Sequence, residues 1–131
     1  MIRRSVLAGF AGAVAALAVR PVQAAAGFIV YKLENFDQLL AAGETIVVHV
    51  HADWCPVCTK QQATLDPMSG EFAYGKVRFV RVNFDTDLEF LKTYRVASQS
   101  TVIIFKSGKE VSRFVGVTRP ADLRKRVDAA I

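Results

Sequence analysis

Thr45 to Val50 (TIVVHV) is a β-branched run, and close behind it come the only two cysteines of the chain, Cys55 and Cys58, with Pro56 and Val57 between them. β-Branched residues suit the pleated, half-buried surface of a strand. Trp54 to Leu65 carries few strand signals and supplies the helix formers Lys60, Gln61, Gln62, Ala63 and Leu65. The cysteines therefore open a helix directly after a strand. In a sheet covered by helices, such a junction lies beyond the carboxyl end of a central strand, where ligands and chemistry gather.

The flanking pattern agrees with a small α/β domain. Phe28 to Leu33 reads as a strand, Asn35 to Ala42 as a helix with Phe36, Leu39 and Leu40 at helical spacing, and Val77 to Phe84 as a strand with a local irregularity in its alternation. Pro67 is expected to bend or end the cysteine-bearing helix. Leu88 to Tyr94 follows as a short helix, Thr101 to Phe105 as a buried strand, and Glu110 to Val115 as its hairpin partner across the turn Lys106-Ser107-Gly108-Lys109. Thr118 is placed as the cap of a last helix, with Pro120 in its first turn and Leu123, Val127 and Ile131 on one face. The order β, α, β, α, β, α, β, β, α predicts a mixed sheet of four to five strands with helices on both faces. Phe28, Phe72 and Tyr74 are expected in the core.

Residues 1–26 read differently. Arg3 and Arg4 precede an uncharged apolar run of 15 residues, Ser5 to Val19, and small residues follow at Ala24 to Ala26. This is the pattern of a secretory signal, with cleavage after Ala24 or Ala26, or of an uncleaved anchor if the peptidase misses. The run falls short of the ~18 residues of a spanning helix. The expectation is a periplasmic or secreted domain spanning residues 27–131. The chain carries 17 Lys+Arg against 12 Asp+Glu, a formal net charge of +5, but Arg3, Arg4 and Arg20 lie in the leader, so 14 basic residues face 12 acidic ones downstream, a balance of +2. Nucleic-acid binding is not expected, and no cofactor is called for.

The chemistry follows from the cysteine spacing. A thiol reacts as its thiolate, and the first turn of a helix offers unpaired N–H groups and the positive end of the helix dipole, so Cys55 should ionise easily. Cys58, one turn on, can attack a mixed disulfide at Cys55 and let the pair cycle between dithiol and disulfide. Pro56 pre-shapes the turn, and Val57 adds no charge that would make the disulfide strongly oxidising. In an exported chain, cysteines confined to one tight pair form no structural framework.

The segment Ala52-Asp53-Trp54-Cys55-Pro56-Val57-Cys58 resembles the Trp-Cys-x-x-Cys active site of the thioredoxin superfamily, and the similarity runs through the whole of residues 27–131. The resemblance implies a thioredoxin-like fold and a thiol-disulfide oxidoreductase, with Cys55 as the exposed nucleophile, Cys58 as the buried resolving thiol and Trp54 packed beside them. It implies protein disulfides as substrates, a membrane thiol-disulfide protein as electron donor, and a groove formed by Trp54, Pro56, Gln99 and Ser100.

Two positions depart from the family. Ser100 stands where the family has a cis-proline, and because a non-proline cis bond costs ~2.5 to 4 kcal/mol, Gln99–Ser100 is expected to be trans. The Ser100 hydroxyl then either meets a cysteine thiolate or satisfies a loop carbonyl. His49 stands where the family commonly has a buried aspartate, and it is either the base for Cys58 or a satisfied core residue. Arg81, at the position of a lysine near that aspartate, favours the neutral imidazole. A different reading remains open: His49, His51, Cys55 and Cys58 together make a donor set for Zn²⁺, or the thiolates alone for Cu(I).

Overall fold

The computed structural model describes residues 27–131, so the signal and the anchor expected in residues 1–26 lie outside the described residues. Ten elements are described: β1 (Ile29–Val30), α1 (Leu33–Ala41), β2 (Thr45–His51), α2 (Pro56–Ser69), a single 3₁₀ turn (Phe72–Tyr74), β3 (Val77–Asn83), α3 (Leu88–Thr93), β4 (Thr101–Lys106), β5 (Lys109–Val115) and α4 (Pro120–Ala130). The strands form one mixed sheet in the order β1-β3-β2-β4-β5. β2 lies between β3, which runs parallel to it, and β4, which runs antiparallel. Its central place matches its burial, which runs without a break from Ile46 to Val50.

Alternation along β2 sorts its side chains onto two layers. Ile46, Val48 and Val50 join Phe36, Val80, Val82, Phe90, Ile103 and Phe105 on the side of α1 and α3. Val47 joins Leu65, Met68, Phe79, Ile104, Leu123 and Val127 on the side of α2 and α4. His49 and His51 share the parity of Val47 and so face α2.

Several boundaries differ from the sequence reading. The strand at Phe28 to Leu33 shrinks to two residues, because Leu33 already opens α1. β3 shows no irregularity: its register with β2 is unbroken from Thr45↔Val77 to His51↔Asn83. Phe79 and Val80 are both apolar because both faces of this sheet are covered. Pro67 sits inside α2, which runs on to Ser69. Proline removes one N–H so late in the helix that fully buried Met68 can hold the last turn in the core. Arg119, not Thr118, occupies the cap position of α4, with Pro120 as the first helical residue. Phe72 is fully exposed, whereas Tyr74 is buried and its hydroxyl donates to Asp128 on α4 at 2.7 Å.

Candidate active site

The junction of β2 and α2 supplies the cysteines as the sequence predicts. Cys55 is the cap residue of α2 and Pro56 its first helical residue, where a missing N–H costs nothing. The Cys55 Sγ accepts the Cys58 backbone N–H at 3.2 Å, so the thiol itself does the capping that serine or aspartate does elsewhere. Both cysteines are free thiols. Cys55 is only 2% exposed, which corrects the expectation of an exposed nucleophile. Turned into the first turn of the helix, it packs with Ala52 and Cys58 under Val57 and Phe84.

The two thiols ionise very differently. Burial pushes the Cys55 thiol up, but hydrogen bonds from the Cys58 thiol, from the N–H groups of Cys58 and Val57 and from the Gln99 side chain outweigh it, so the net shift is downward. Burial, reinforced by the hydrogen bond to Cys55, pushes the Cys58 thiol up to about 11. Cys58 Sγ lies 3.9 Å from the Val50 carbonyl. One turn of helix thus holds a thiol poised to ionise and another that keeps its proton.

His49 is fully buried beneath this pair. Its Nε2 donates to Gln61 Oε1 at 2.9 Å, and its Nδ1 lies 3.0 Å from the Gln62 carboxamide. Gln61 is itself fixed, because its amide donates to the carbonyls of Ser100 and Val117, both at 3.1 Å. That leaves only the Gln61 oxygen for Nε2, and Gln62, whose amide donates to Asp66, likewise turns its oxygen to Nδ1. Burial lowers the His49 pKa to about 4, and the glutamine hydrogen bonds offset only part of the effect. The imidazole is neutral, as the nearby Arg81 led us to expect. Sequence reasoning missed Gln61 and Gln62, although they stand three and four residues after Cys58 and so share its helix face.

At the facing loop no peptide bond among the described residues is cis, and Ser100 has φ = 60°. Its hydroxyl donates to the Gln99 carbonyl at 2.6 Å, not to a cysteine. Its N–H donates to the Val50 carbonyl and its own carbonyl accepts from Gly116 N–H. Both backbone groups of Ser100 are therefore taken inward, and Gln99 is the loop residue whose side chain meets Cys55. Trp54 is 59% exposed, and its indole N–H donates to both carboxylate oxygens of Asp85, at 2.9 and 3.1 Å. The four-residue donor set is not brought together: His49, His51 and Cys58 converge, and Cys55 stands outside the group.

The comparisons accord with this geometry. The thioredoxin family model matches residues 27–129. The chain belongs to the thioredoxin family. It is 36% identical over 84 residues to the thioredoxin of Chlamydia pneumoniae, covering 64% of this chain and 79% of that one. To the thioredoxin of Chlamydia trachomatis it is 32% identical over 94 residues, covering 72% and 89%. Among solved structures it is similar to Trxlp from Edwardsiella tarda EIB202, with a TM-score of 0.71 and 39% identity over 78% of this chain and 98% of that one. A thioredoxin fold bearing a Cys-x-x-Cys pair makes the protein a thiol-disulfide oxidoreductase that acts on protein disulfides.

Proposed function

We propose that the protein is exported and works as a reductase, passing two electrons from a membrane thiol-disulfide donor to protein disulfides. The observation that carries the exchange chemistry is the split between the thiols, Cys55 held low as the attacking group and Cys58 held up at about 11 as the resolving one within one helical turn; the uncharged Val57 between them supports the reducing direction. Cys55 Sγ⁻ attacks one sulfur of the substrate disulfide, the substrate S–S bond breaks, and the departing sulfur takes a proton from water. Cys58 Sγ then attacks Cys55 Sγ while its proton passes through His49 to solvent, and the second substrate sulfur leaves as a thiolate and takes a proton from water. The products are a Cys55–Cys58 disulfide and two substrate thiols, so two electrons have moved to the substrate.

His49 receives the Cys58 proton in the second step, with a ligand atom of its ring within 4.8 Å of the Cys58 sulfur. A base of pKa about 4 does not take a proton from a thiol near 11 at rest. Transfer is therefore confined to the mixed disulfide, where the attack on Cys55 makes the Cys58 proton acidic. Trp54 and Gln99 line the approach to Cys55, with Pro56 shaping the turn and Ser100 fixing the loop from behind. The lack of a cation at Val57 supports a reducing couple, and the basic start, apolar run and small residues of 1–26 support export.

The test is the equilibrium of the pair against thiol-disulfide buffers. A potential near that of thioredoxin, about −270 mV, is expected; one near about −120 mV would make the protein an oxidant and end the reductase reading. For export, the mass of the protein recovered from expressing cells is expected to correspond to cleavage after Ala24 or Ala26. An intact chain in the cytosol would refute it.

A further inference from the structure

We propose that His49, His51 and Cys58 form a binding site for a divalent transition metal of the Zn²⁺ type, available only while the cysteines are reduced. One ligand atom from each of the three lies within 4.8 Å of the other two. The two imidazoles project from the same face of β2, two residues apart, and the first turn of α2 brings the thiol against them. Zn²⁺ binds imidazole nitrogen and thiolate at bond lengths that set tetrahedral ligand separations of roughly 3.3 to 3.7 Å. The present spread of up to 4.8 Å exceeds these separations, so binding draws the three side chains together.

His51 is the decisive residue. Its Nε2 is 3.2 Å from Asp53 Oδ1, and its Nδ1 is buried with no hydrogen-bond partner among the described residues. A neutral ring that donates its Nε2–H to a carboxylate carries a lone pair on Nδ1, and buried acceptors left without a partner are rare in folded proteins. Carboxylate to imidazole to metal is the usual outer shell of a zinc-binding histidine, because the carboxylate fixes the ring and raises its basicity.

His49 is arranged in parallel. Gln61, tied to two backbone carbonyls, holds its Nε2–H, and Nδ1 faces Gln62, which is half-buried and already hydrogen-bonded to Asp66. A metal on Nδ1 displaces the Gln62 oxygen that lies 3.0 Å from it, together with any proton Nδ1 donates there. Two imidazoles and one thiolate leave a fourth tetrahedral position for water.

Binding exchanges one proton for the metal: the Cys58 S–H bond breaks, the S–metal bond forms and H⁺ passes to solvent, with no change of oxidation state. In the disulfide form the same sulfur is bonded to Cys55 and cannot serve as a thiolate ligand. Metal and disulfide thus compete for one atom. A bound metal holds the pair reduced and stops the second step of turnover, and oxidation expels the metal.

The test uses the reduced, metal-free full chain titrated with Co²⁺ as a spectroscopic probe and then with Zn²⁺. One equivalent of Co²⁺ is expected to produce a thiolate-to-cobalt charge-transfer band that Zn²⁺ bleaches. Cys58→Ser is expected to lose the band and Cys55→Ser to keep it. His51→Ala should weaken binding at least about 10-fold, and Asp53→Asn about 10- to 100-fold, both with disulfide reduction in chelator-treated buffer unchanged. The oxidised chain should bind no metal. Absence of the band in the reduced chain, or its survival in Cys58→Ser or in His51→Ala, would overturn the site. So would equal binding by the oxidised chain. Should His51→Ala fail to fold, Asp53→Asn carries the same comparison from an exposed position. Reduction of disulfides in metal-free buffer reports on the oxidoreductase separately, so the two proposals can fail independently.

Discussion

On the α1 and α3 side of the sheet, β2 presents Ile46, Val48 and Val50 to a layer closed by aromatic rings. Phe36 lies edge to face with both Phe90 and Phe105 at 5.4 Å between centroids. On the other side the same strand presents Val47 and then His49 and His51, and α2 answers with Gln61, Gln62 and Cys58. Both layers are buried, yet they are held together by different physics. Apolar contacts are non-directional and tolerate small displacements. A buried imidazole needs one donor and one acceptor at fixed positions, or it costs more than it contributes. The aromatic layer thus stabilises the domain, while the polar layer spends part of that stability to hold a neutral histidine under a redox pair.

This contrast can be broken from either side. The largest effect is expected at the pair itself: Cys55→Ser should reduce disulfide turnover to background, while Cys58→Ser should accumulate the mixed disulfide, seen as a mass adduct, with the fold kept in both. Next in size, Phe36→Ala on the aromatic layer should cost about 3 to 5 kcal/mol in denaturant unfolding and leave the redox potential unmoved. A shift in potential there would show that the two layers are not separable.

The polar layer should carry a pH signature. The folded pKa of His49, about 4, lies below its unfolded value of about 6.5. Between these values the unfolded chain binds a proton that the folded one refuses. Stability is therefore complete above pH about 6.5 and lost as pH falls toward 4, by on the order of 3 kcal/mol. Subtracting the profile of His49→Asn isolates this loss from that of the carboxylates. Identical profiles would mean that the ring is not held neutral.

Gln61→Leu should come next, at about 1 to 3 kcal/mol, because it strands the His49 N–H and takes a donor from the carbonyls of Ser100 and Val117, of which Ser100 keeps its bond from Gly116. It should also slow the second step more than the first. Equal slowing of both would reduce Gln61 to a packing role. The smallest expected effect is at Ser100→Gly, which releases a non-glycine residue from φ = 60° and should stabilise by up to about 1 kcal/mol. A loss instead would show that the hydroxyl bond to the Gln99 carbonyl matters more than the backbone strain.

Much of this molecule is legible one residue at a time. The β-branched run of β2, the helix formers after it and the proline at the first helical position of α2 are local preferences, and they place Cys55 and Cys58 at a strand-to-helix junction without any knowledge of the rest. Parity along β2 likewise puts His49 and His51 on one face. The misjudged boundaries are those where packing overrides local preference. Met68 holds a helical turn past Pro67, and the shortness of β1 follows from where α1 begins.

The partners of the buried histidines are a different matter. Gln61 can be read as sharing a helix face with Cys58, but that its amide spans from His49 to Ser100 and Val117 depends on three segments far apart in the chain. The same holds for the exclusion of Cys55 from the group formed by His49, His51 and Cys58. Local sequence determines which elements form and which face each residue takes, because backbone sterics and side-chain alternation act over a few residues. Only the folded sheet decides which polar groups meet, because a buried hydrogen bond or ligand set depends on distances of a few ångströms between elements that only packing brings together.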